Sequence, residues 1–225
     1  MRPPEFITFT GVDASTPIRE LVALATRYPI EWGVLFSPSK TDDPRYPNLS
    51  FVFEMIAAAR AHGLRLAAHL CGNHSRNIFD LGSTSMDGLM AGFQRAQINS
   101  LEGPEKADSV RAWAAKWGVK AIMQCRDSFP DAPGVEWLYD VSGGRGVSPP
   151  VWPKAPDDVR CGYAGGLRPE NVAPAASVIG SMAKRYWLDM ETGVRDENNR
   201  FSVDKCRQVC EAVFGRDYSR QEGSA

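Results

Sequence analysis

Short apolar runs alternate with longer amphipathic segments along the chain. The apolar runs, which are typical of buried strands, cover residues 5–10, 31–36, 64–69, 92–98, 119–125, 136–140, 160–164 and 185–189. Helical periodicity predicts helices over residues 17–27, 49–62, part of 75–90, 105–117, 169–184 and 202–214. Strands separated by helices pair in parallel, so the pattern predicts an α/β protein, a single (β/α)8 TIM barrel of eight strand–helix units.

An open, doubly wound sheet is the alternative architecture. That fold places a glycine-rich G-x-G-x-x-G fingerprint directly after its first strand. Here the first strand is followed by Thr10-Gly-Val-Asp13, which lacks the fingerprint. No linker divides the chain, so we expect one barrel domain over residues 1–214, followed by a polar tail at 215–225.

Composition narrows the possible partners. The 225 residues carry 26 basic and 27 acidic side chains, a net charge of −1, whereas domains that bind nucleic acid through bulk charge are strongly basic. No apolar stretch approaches the length of a membrane span, and the first residues lack the apolar core of a secretory signal. Five scattered cysteines favour no disulfide framework. We therefore expect a cytoplasmic monomer or homodimer that binds a small metabolite, and neither nucleic acid nor membrane.

The loops that follow the strands are where a barrel places its active site, and phosphate is commonly held after strands 7 and 8. Gly165 and Gly166 follow the seventh predicted strand, and Thr192 and Gly193 follow the eighth. Glycine permits close backbone approach, and backbone N–H groups at such turns suit a phosphate dianion. A plain tight turn is the alternative at each place, but two such turns at neighbouring strand ends favour a phosphate site.

Five segments, taken together and in this order, are similar to the motifs of one family. In these segments the sequence resembles phosphoribosylanthranilate isomerase, the barrel enzyme of tryptophan biosynthesis, whereas residues 65–130 match that family only in their pattern of apolar and polar positions. The segments and their family counterparts are Thr8-Phe-Thr-Gly-Val-Asp13 (K-I-C-G-I-T), Pro44-Arg45-Tyr46 (S-P-R-Y), Asp140 with the loop from Ser142 to Gly146 (Asp with G-G-T/R-G), Gly165 to Val172 (GGLxPENV), and Asp189-Met-Glu-Thr-Gly-Val194 (D-V-S-S-G-V).

The resemblance implies an aldose–ketose isomerase of the Amadori type, acting on a phosphoribosyl-amine without a cofactor. Such a reaction needs an acid to open the sugar ring and a base to remove the C2 proton. By the family pattern Asp140 is the acid and Arg45 holds a substrate carboxylate. Asp189 orients the region of the phosphate. The backbone that holds the phosphate is that of Gly165, Gly166, Thr192 and Gly193.

Two positions depart from the family pattern. Thr10 stands where the family has its catalytic cysteine, and a threonine hydroxyl does not ionise near neutral pH as a thiol can. Glu191 replaces the first serine of the S-S-G segment. Its charge opposes a nearby phosphate unless it points away or pairs with Arg195 or Arg168.

If the base is not Thr10, the candidates are Asp13, at the same strand end, and His69, at the end of the third strand. A neutral imidazole titrates in the useful range. His69-x-Cys71-x-x-His74 is also a conceivable metal cluster, but its spacing matches no common zinc pattern and we expect no metal. Two functions stay open: an isomerase-like enzyme for a small phosphorylated sugar or related anion, and an altered homologue that binds a phosphorylated or carboxylated metabolite, or a protein, without isomerising it.

Overall fold

Eight parallel strands close into a barrel in the order of the chain, with β8 paired to β1. The computed structural model describes residues 2–100, 102–142 and 146–219. The strands confirm the predicted barrel, and most bounds agree within two residues. They are β1 Phe6–Thr10, β2 Ile30–Phe36, β3 Arg65–Cys71, β4 Arg95–Asn99, β5 Lys120–Cys125, β6 Glu136–Asp140, β7 Cys161–Ala164 and β8 Tyr186–Met190.

Six α-helices lie among the described residues, at the six segments where helical periodicity predicts them. No described residue between β5 and β6, or between β6 and β7, is helical. The prolines in these two segments explain the absence of a helix there, because proline lacks an N–H and its ring clashes with a preceding turn. None of the helices described is long and apolar enough to cross a membrane. They are α1 Ile18–Arg27, α2 Leu49–His62, α3 Asn73–Leu81, α4 Ala107–Trp117, α5 Val172–Met182 and α6 Val203–Phe214.

Two aromatic side chains cover the barrel where those helices are missing. Phe129, which follows β5, packs edge-on against Tyr163 with ring centroids 5.3 Å apart. Trp152, which follows β6, packs against Tyr163 at 5.9 Å and Tyr139 at 6.2 Å. An aromatic side chain buries about 150–250 Å², so these two rings shield part of β6 and β7 without regular structure.

The C-terminal segment that follows α6 makes contacts with the barrel. The predicted polar tail begins where α6 ends, at Phe214. Tyr218 nevertheless stacks on Tyr28 with ring centroids 5.8 Å apart, and it also contacts Phe214. The described part of the tail, to residue 219, thus packs against Tyr28, the residue that follows α1. Residues 220–225 lie outside the described residues.

An ion-pair network fills the barrel interior near the N-terminal ends of the strands. Arg95 on β4 donates to Glu31 on β2 at 2.8 Å and pairs with Glu136 on β6 at 2.9 Å. Thr8 also donates to Glu31, and the Arg95 guanidinium lies 4.0 Å from the ring centroid of Trp187. Because β2 and β4 are not neighbours, these bonds cross the interior. Side chains two and four residues beyond these positions on each strand also face the barrel interior. They lie progressively closer to the C-terminal mouth of the barrel.

The α2 helix carries a side-chain cap that offers a direct test of local stability. The Asn48 side chain accepts a hydrogen bond from Phe51 N at 3.0 Å. We expect Asn48→Ala to lower the free energy of unfolding by about 1 kcal/mol in urea denaturation, because an orphan N–H is exposed. Asn48→Ser, which retains a capping oxygen, is the control; an equal loss in both variants contradicts a capping role.

Candidate functional site

A cavity of about 720 Å³ opens at the C-terminal ends of the strands. Every strand-end residue singled out from the sequence as catalytic or binding lines it, except Asp13. The residues placed there are Thr10, Arg45, His69, Asp140, Gly165, Gly166, Asp189, Thr192 and Gly193.

The turns after β7 and β8 pack against each other at one side of the cavity. Gly166 has φ +59°, and a Cβ there would lie 2.6 Å from Ser148 N. A Cβ on Gly193 would collide with the carbonyl oxygen of Leu167. Glycine at position 193 therefore lets the two turns meet, and glycine at position 166 lets the loop between β6 and β7 pack against the β7 turn. Thr192 begins a 3-10 turn, Thr192–Val194, and the first N–H groups of such a turn have no partner within it.

Asp140 ends β6 beside these turns. Its Oδ1 accepts hydrogen bonds from Ser142 N at 2.9 Å and Ser142 Oγ at 2.8 Å, and its Oδ2 accepts from Gln124 Nε2 at 3.3 Å. These bonds fix the orientation of the carboxyl group at the cavity. The loop residues 143–145, which belong to the family resemblance, lie outside the described residues, whereas Gly146 lines the cavity.

Thr10, His69 and Asp189 form a buried cluster on the cavity floor. The Thr10 hydroxyl donates to Asp189 Oδ1 at 3.0 Å and lies 3.4 Å from His69 Nε2. His69 Nε2 is 4.0 Å from Asp189 Oδ2. Gly33 makes this approach possible, since a Cβ there would lie 2.6 Å from Thr10 Oγ1 and 3.0 Å from His69 Nε2.

Burial acts on both ionisable members of the cluster. It lowers the pKa of His69 to about 3, assisted by the charge of Arg95. It raises the pKa of Asp189 well above the usual range of a carboxyl group, against the hydrogen bond from Thr10. His69 is therefore neutral at physiological pH and does not titrate in the range expected from its sequence position. Asp189 is the member whose pKa is shifted toward neutrality.

Asp13 lies in a different environment from the one its sequence position suggested. It forms a buried ion pair with Arg195 Nη2 at 2.6 Å and accepts a hydrogen bond from Phe201 N at 2.9 Å. The carboxylate thus joins the β1 loop to the β8 loop outside the cavity lining. A buried, paired carboxylate of this kind has a structural role.

The guanidinium of Arg45 is hydrogen-bonded to two other side chains of the protein. Its Nη1 donates to Glu191 Oε1 at 2.8 Å, and its Nε and Nη2 both donate to Asn199 Oδ1, at 3.2 and 2.9 Å. Glu191 therefore pairs with neither of the partners considered from the sequence. Arg195 pairs with Asp13, and Arg168 pairs with Glu170 at 3.5 Å.

A row of neutral polar groups on β3 to β5 completes the cavity. Gln97 Nε2 donates to Asn99 Oδ1 at 2.6 Å, and Asn99 Nδ2 contacts Cys71 Sγ at 3.1 Å. Gln97 and Gln124 are not among the candidates that strand ends predict. The signal was nevertheless present, because Arg95, Gln97 and Asn99 alternate with apolar residues along one strand, which is the period-two pattern of a polar interior face.

The conceivable metal cluster at residues 69–74 is not assembled. His74 Nδ1 lies 2.9 Å from Thr84 Oγ1, and burial raises the pKa of the Cys71 thiol to about 11. Within the described ranges, no group of three or more His, Cys, Asp or Glu side chains is placed to hold a metal ion. The surroundings of the Cys71 sulfur therefore favour a thiol rather than a thiolate.

Solved structures of one enzyme share this fold, although no protein-family model and no curated protein matches the sequence. Phosphoribosylanthranilate isomerase from Thermus thermophilus is 20% identical, with 95% of this chain and 98% of that chain covered, and a TM-score of 0.58. TrpF from Jonesia denitrificans is 17% identical, with 93% and 97% covered, and a TM-score of 0.66.

A third structure holds a ligand. It is phosphoribosylanthranilate isomerase in complex with reduced 1-(o-carboxyphenylamino)-1-deoxyribulose 5-phosphate, at 15% identity, with 96% of this chain and 100% of that chain covered, and a TM-score of 0.60. These comparisons confirm the resemblance to phosphoribosylanthranilate isomerase structures at the level of the fold.

Proposed function

We propose that the chain is a phosphoribosylanthranilate isomerase-like barrel that binds a small phosphorylated sugar and catalyses its aldose–ketose isomerisation. The observation that carries the proposal is the convergence of three features in one cavity. The β7 and β8 turns meet at its side, Asp140 lies at one strand end, and the Thr10–His69–Asp189 cluster lies on its floor.

The phosphate binds at the paired turns. The N–H groups of Thr192 and Gly193 begin a 3-10 turn, and the adjoining glycine backbone after β7 has no side chains to shield it. A dianion is favoured where unpaired N–H groups converge. Glu191 lies next to this place, but its ion pair with Arg45 offsets its charge.

The chemistry requires two proton transfers. Asp140 donates a proton to the ring oxygen as the sugar opens, and a base then moves a proton from C2 to C1. Removal of the C2 proton lets the electron pair of that bond form the enol or enolamine, and return of the proton to C1 gives the ketose. The hydroxyl of Thr10 is too weak an acid to lose its proton near neutral pH, so it cannot act as the base. Asp189 suits this role best, because a carboxylate whose pKa is raised by burial is a stronger base than an exposed one. Thr10 and His69 position it.

Binding without isomerisation is the second candidate. Thr10 is the observation that favours it, because the position that carries a thiol in the resembled family holds an un-ionised hydroxyl here. The two candidates share the phosphate site and differ only in proton transfer at C2. Membership in tryptophan biosynthesis, a cytoplasmic location and a monomeric or homodimeric state stay predictions.

One experiment separates these candidates. Ribose 5-phosphate is incubated with the protein in D2O, and proton NMR follows loss of the C2 proton signal and formation of ribulose 5-phosphate. Isomerisation predicts protein-dependent deuterium exchange at C2; saturable binding without any exchange supports the binding barrel instead.

The phosphate site has its own prediction. Calorimetric titration with ribose 5-phosphate is expected to give a dissociation constant at least about tenfold higher for Thr192→Asp than for the wild type, because a new negative charge faces the dianion. Thr26→Asp, the same change on the exposed face of α1, is the control. Equal affinity of both variants for ribose 5-phosphate would place the phosphate elsewhere.

A further inference from the structure

Three of the five N–H groups of the Arg45 guanidinium are bonded within the protein. Glu191 accepts from Nη1, and one amide oxygen of Asn199 accepts from both Nε and Nη2. Asn199 is itself held in place, because its Oδ1 and its backbone oxygen accept hydrogen bonds from Arg195. A carboxylate that bound side-on through Nε and Nη2 would have to displace Asn199, and one that bound through Nη1 would compete with Glu191.

Electrostatics also oppose a carboxylate that displaces Glu191 from Arg45. Arg45 and Glu191 are each only about a quarter exposed, with side-chain accessibilities of 23% and 24%, so their charges are weakly screened. A ligand carboxylate that displaced Glu191 would leave this glutamate partly buried beside a second negative charge. Like charges at such distances cost free energy, and the cost rises as water is excluded.

The neighbouring lining suits a neutral group. Gln97 is 3% exposed and lines the cavity, and its Oε1 has no hydrogen-bond partner among the described residues. Asn99 and the thiol of Cys71 continue this lining without a charge. A buried amide oxygen without a partner is costly, so a ligand that brings a donor to this layer gains a hydrogen bond.

We propose that the end of the substrate opposite its phosphate is neutral and hydrogen-bonding, without a carboxylate, and that Glu191 sets this preference. The inference rests on the proposed phosphate site and names the substrate class for it: a phosphorylated sugar that carries hydroxyl, amine or amide groups at C1. Glu191 acts by occupying Arg45. Lys40 and Arg126 also line the cavity, but both are exposed at its rim, where solvent weakens their attraction for a carboxylate.

A matched ligand pair tests the proposal. The first ligand is reduced 1-(o-carboxyphenylamino)-1-deoxyribulose 5-phosphate, and the second is the same compound with a plain phenyl ring. Calorimetric titration of the wild-type protein is expected to give a dissociation constant at least about tenfold lower for the phenyl compound. Glu191→Gln and Glu191→Ser are expected to remove or invert this ratio by improving affinity for the carboxylated compound, with little change for the phenyl one.

Glu170→Gln is the control variant, because Glu170 lines the same cavity but pairs with Arg168 and is 70% exposed. It is expected to leave the ratio of the two dissociation constants unchanged. Equal or tighter binding of the carboxylated compound by the wild type overturns the inference and leaves the phosphate site standing. Binding of neither compound overturns the proposed function together with the inference.

Discussion

Replacing Arg95 by leucine is expected to lower the free energy of unfolding by about 3–5 kcal/mol, because the change leaves the buried carboxylate of Glu31 without the counter-charge of Arg95. Glu31 is 2% exposed and retains only the hydroxyl of Thr8 among its described side-chain partners. The contact of the guanidinium with Trp187 is lost as well. Urea denaturation followed by circular dichroism measures the change.

Arg160→Leu is the matched control for this loss. Arg160 also pairs with Glu136, at 3.3 Å, but its side chain is 20% exposed and lies at the rim of the barrel. We expect a cost of about 1 kcal/mol or less there, since solvent stabilises the abandoned carboxylates. A similar cost for the two variants would show that burial of the Arg95 network does not set its contribution.

Replacing His69 by glutamine is expected to make the protein less sensitive to acid. In the folded state the pKa of His69 is lowered to about 3, whereas an unfolded histidine has a pKa near 6.5. The folded state therefore binds fewer protons, and the stability that the neutral imidazole contributes is present above pH 6.5 and lost as the pH falls toward 3. Between pH 7 and pH 5 this loss amounts to about 2 kcal/mol.

The measurement is the difference in free energy of unfolding between His69→Gln and the wild type, at pH 7 and at pH 5. That difference is expected to move by about 2 kcal/mol in favour of the variant at the lower pH. Asp189 acts in the opposite direction in both proteins, because its raised pKa favours the folded state as the pH falls, so it cancels from the comparison. His62→Gln, on the exposed surface of α2, is the control; a pH-independent difference for His69→Gln contradicts its burial as a neutral group.

The barrel itself could be predicted from the sequence, because most strands are short apolar runs bounded by helical or loop segments. The bounds of β6, for example, agree with the apolar run at residues 136–140. The absence of helices after β5 and β6 could be predicted too, since Pro130 and Pro133 interrupt one segment and four prolines interrupt the next.

Within the candidate site, the positions could be predicted but their partners could not. A strand end fixes where Thr10, Asp140 and Asp189 lie, because all eight ends meet at one mouth. Pairing depends instead on loops that are far apart in the chain. The contact of Arg45 with Asn199 spans 154 residues, and Asn199 adopts a left-handed backbone conformation at φ +58° to make it. No local spacing in the sequence encodes such a contact.

The bonds of Arg45 also determine when the loop between β2 and α2 becomes ordered. Residues 37–48 form a long connection, and Arg45 fastens it to the β8 loop through Glu191 and Asn199. The conformational entropy of this loop is consequently lost during folding rather than on ligand binding. A small metabolite, which offers few atoms for contact, thus meets a cavity wall that is already in place. Weakening this attachment would slow the productive encounter even if every atom that touches the ligand stayed the same.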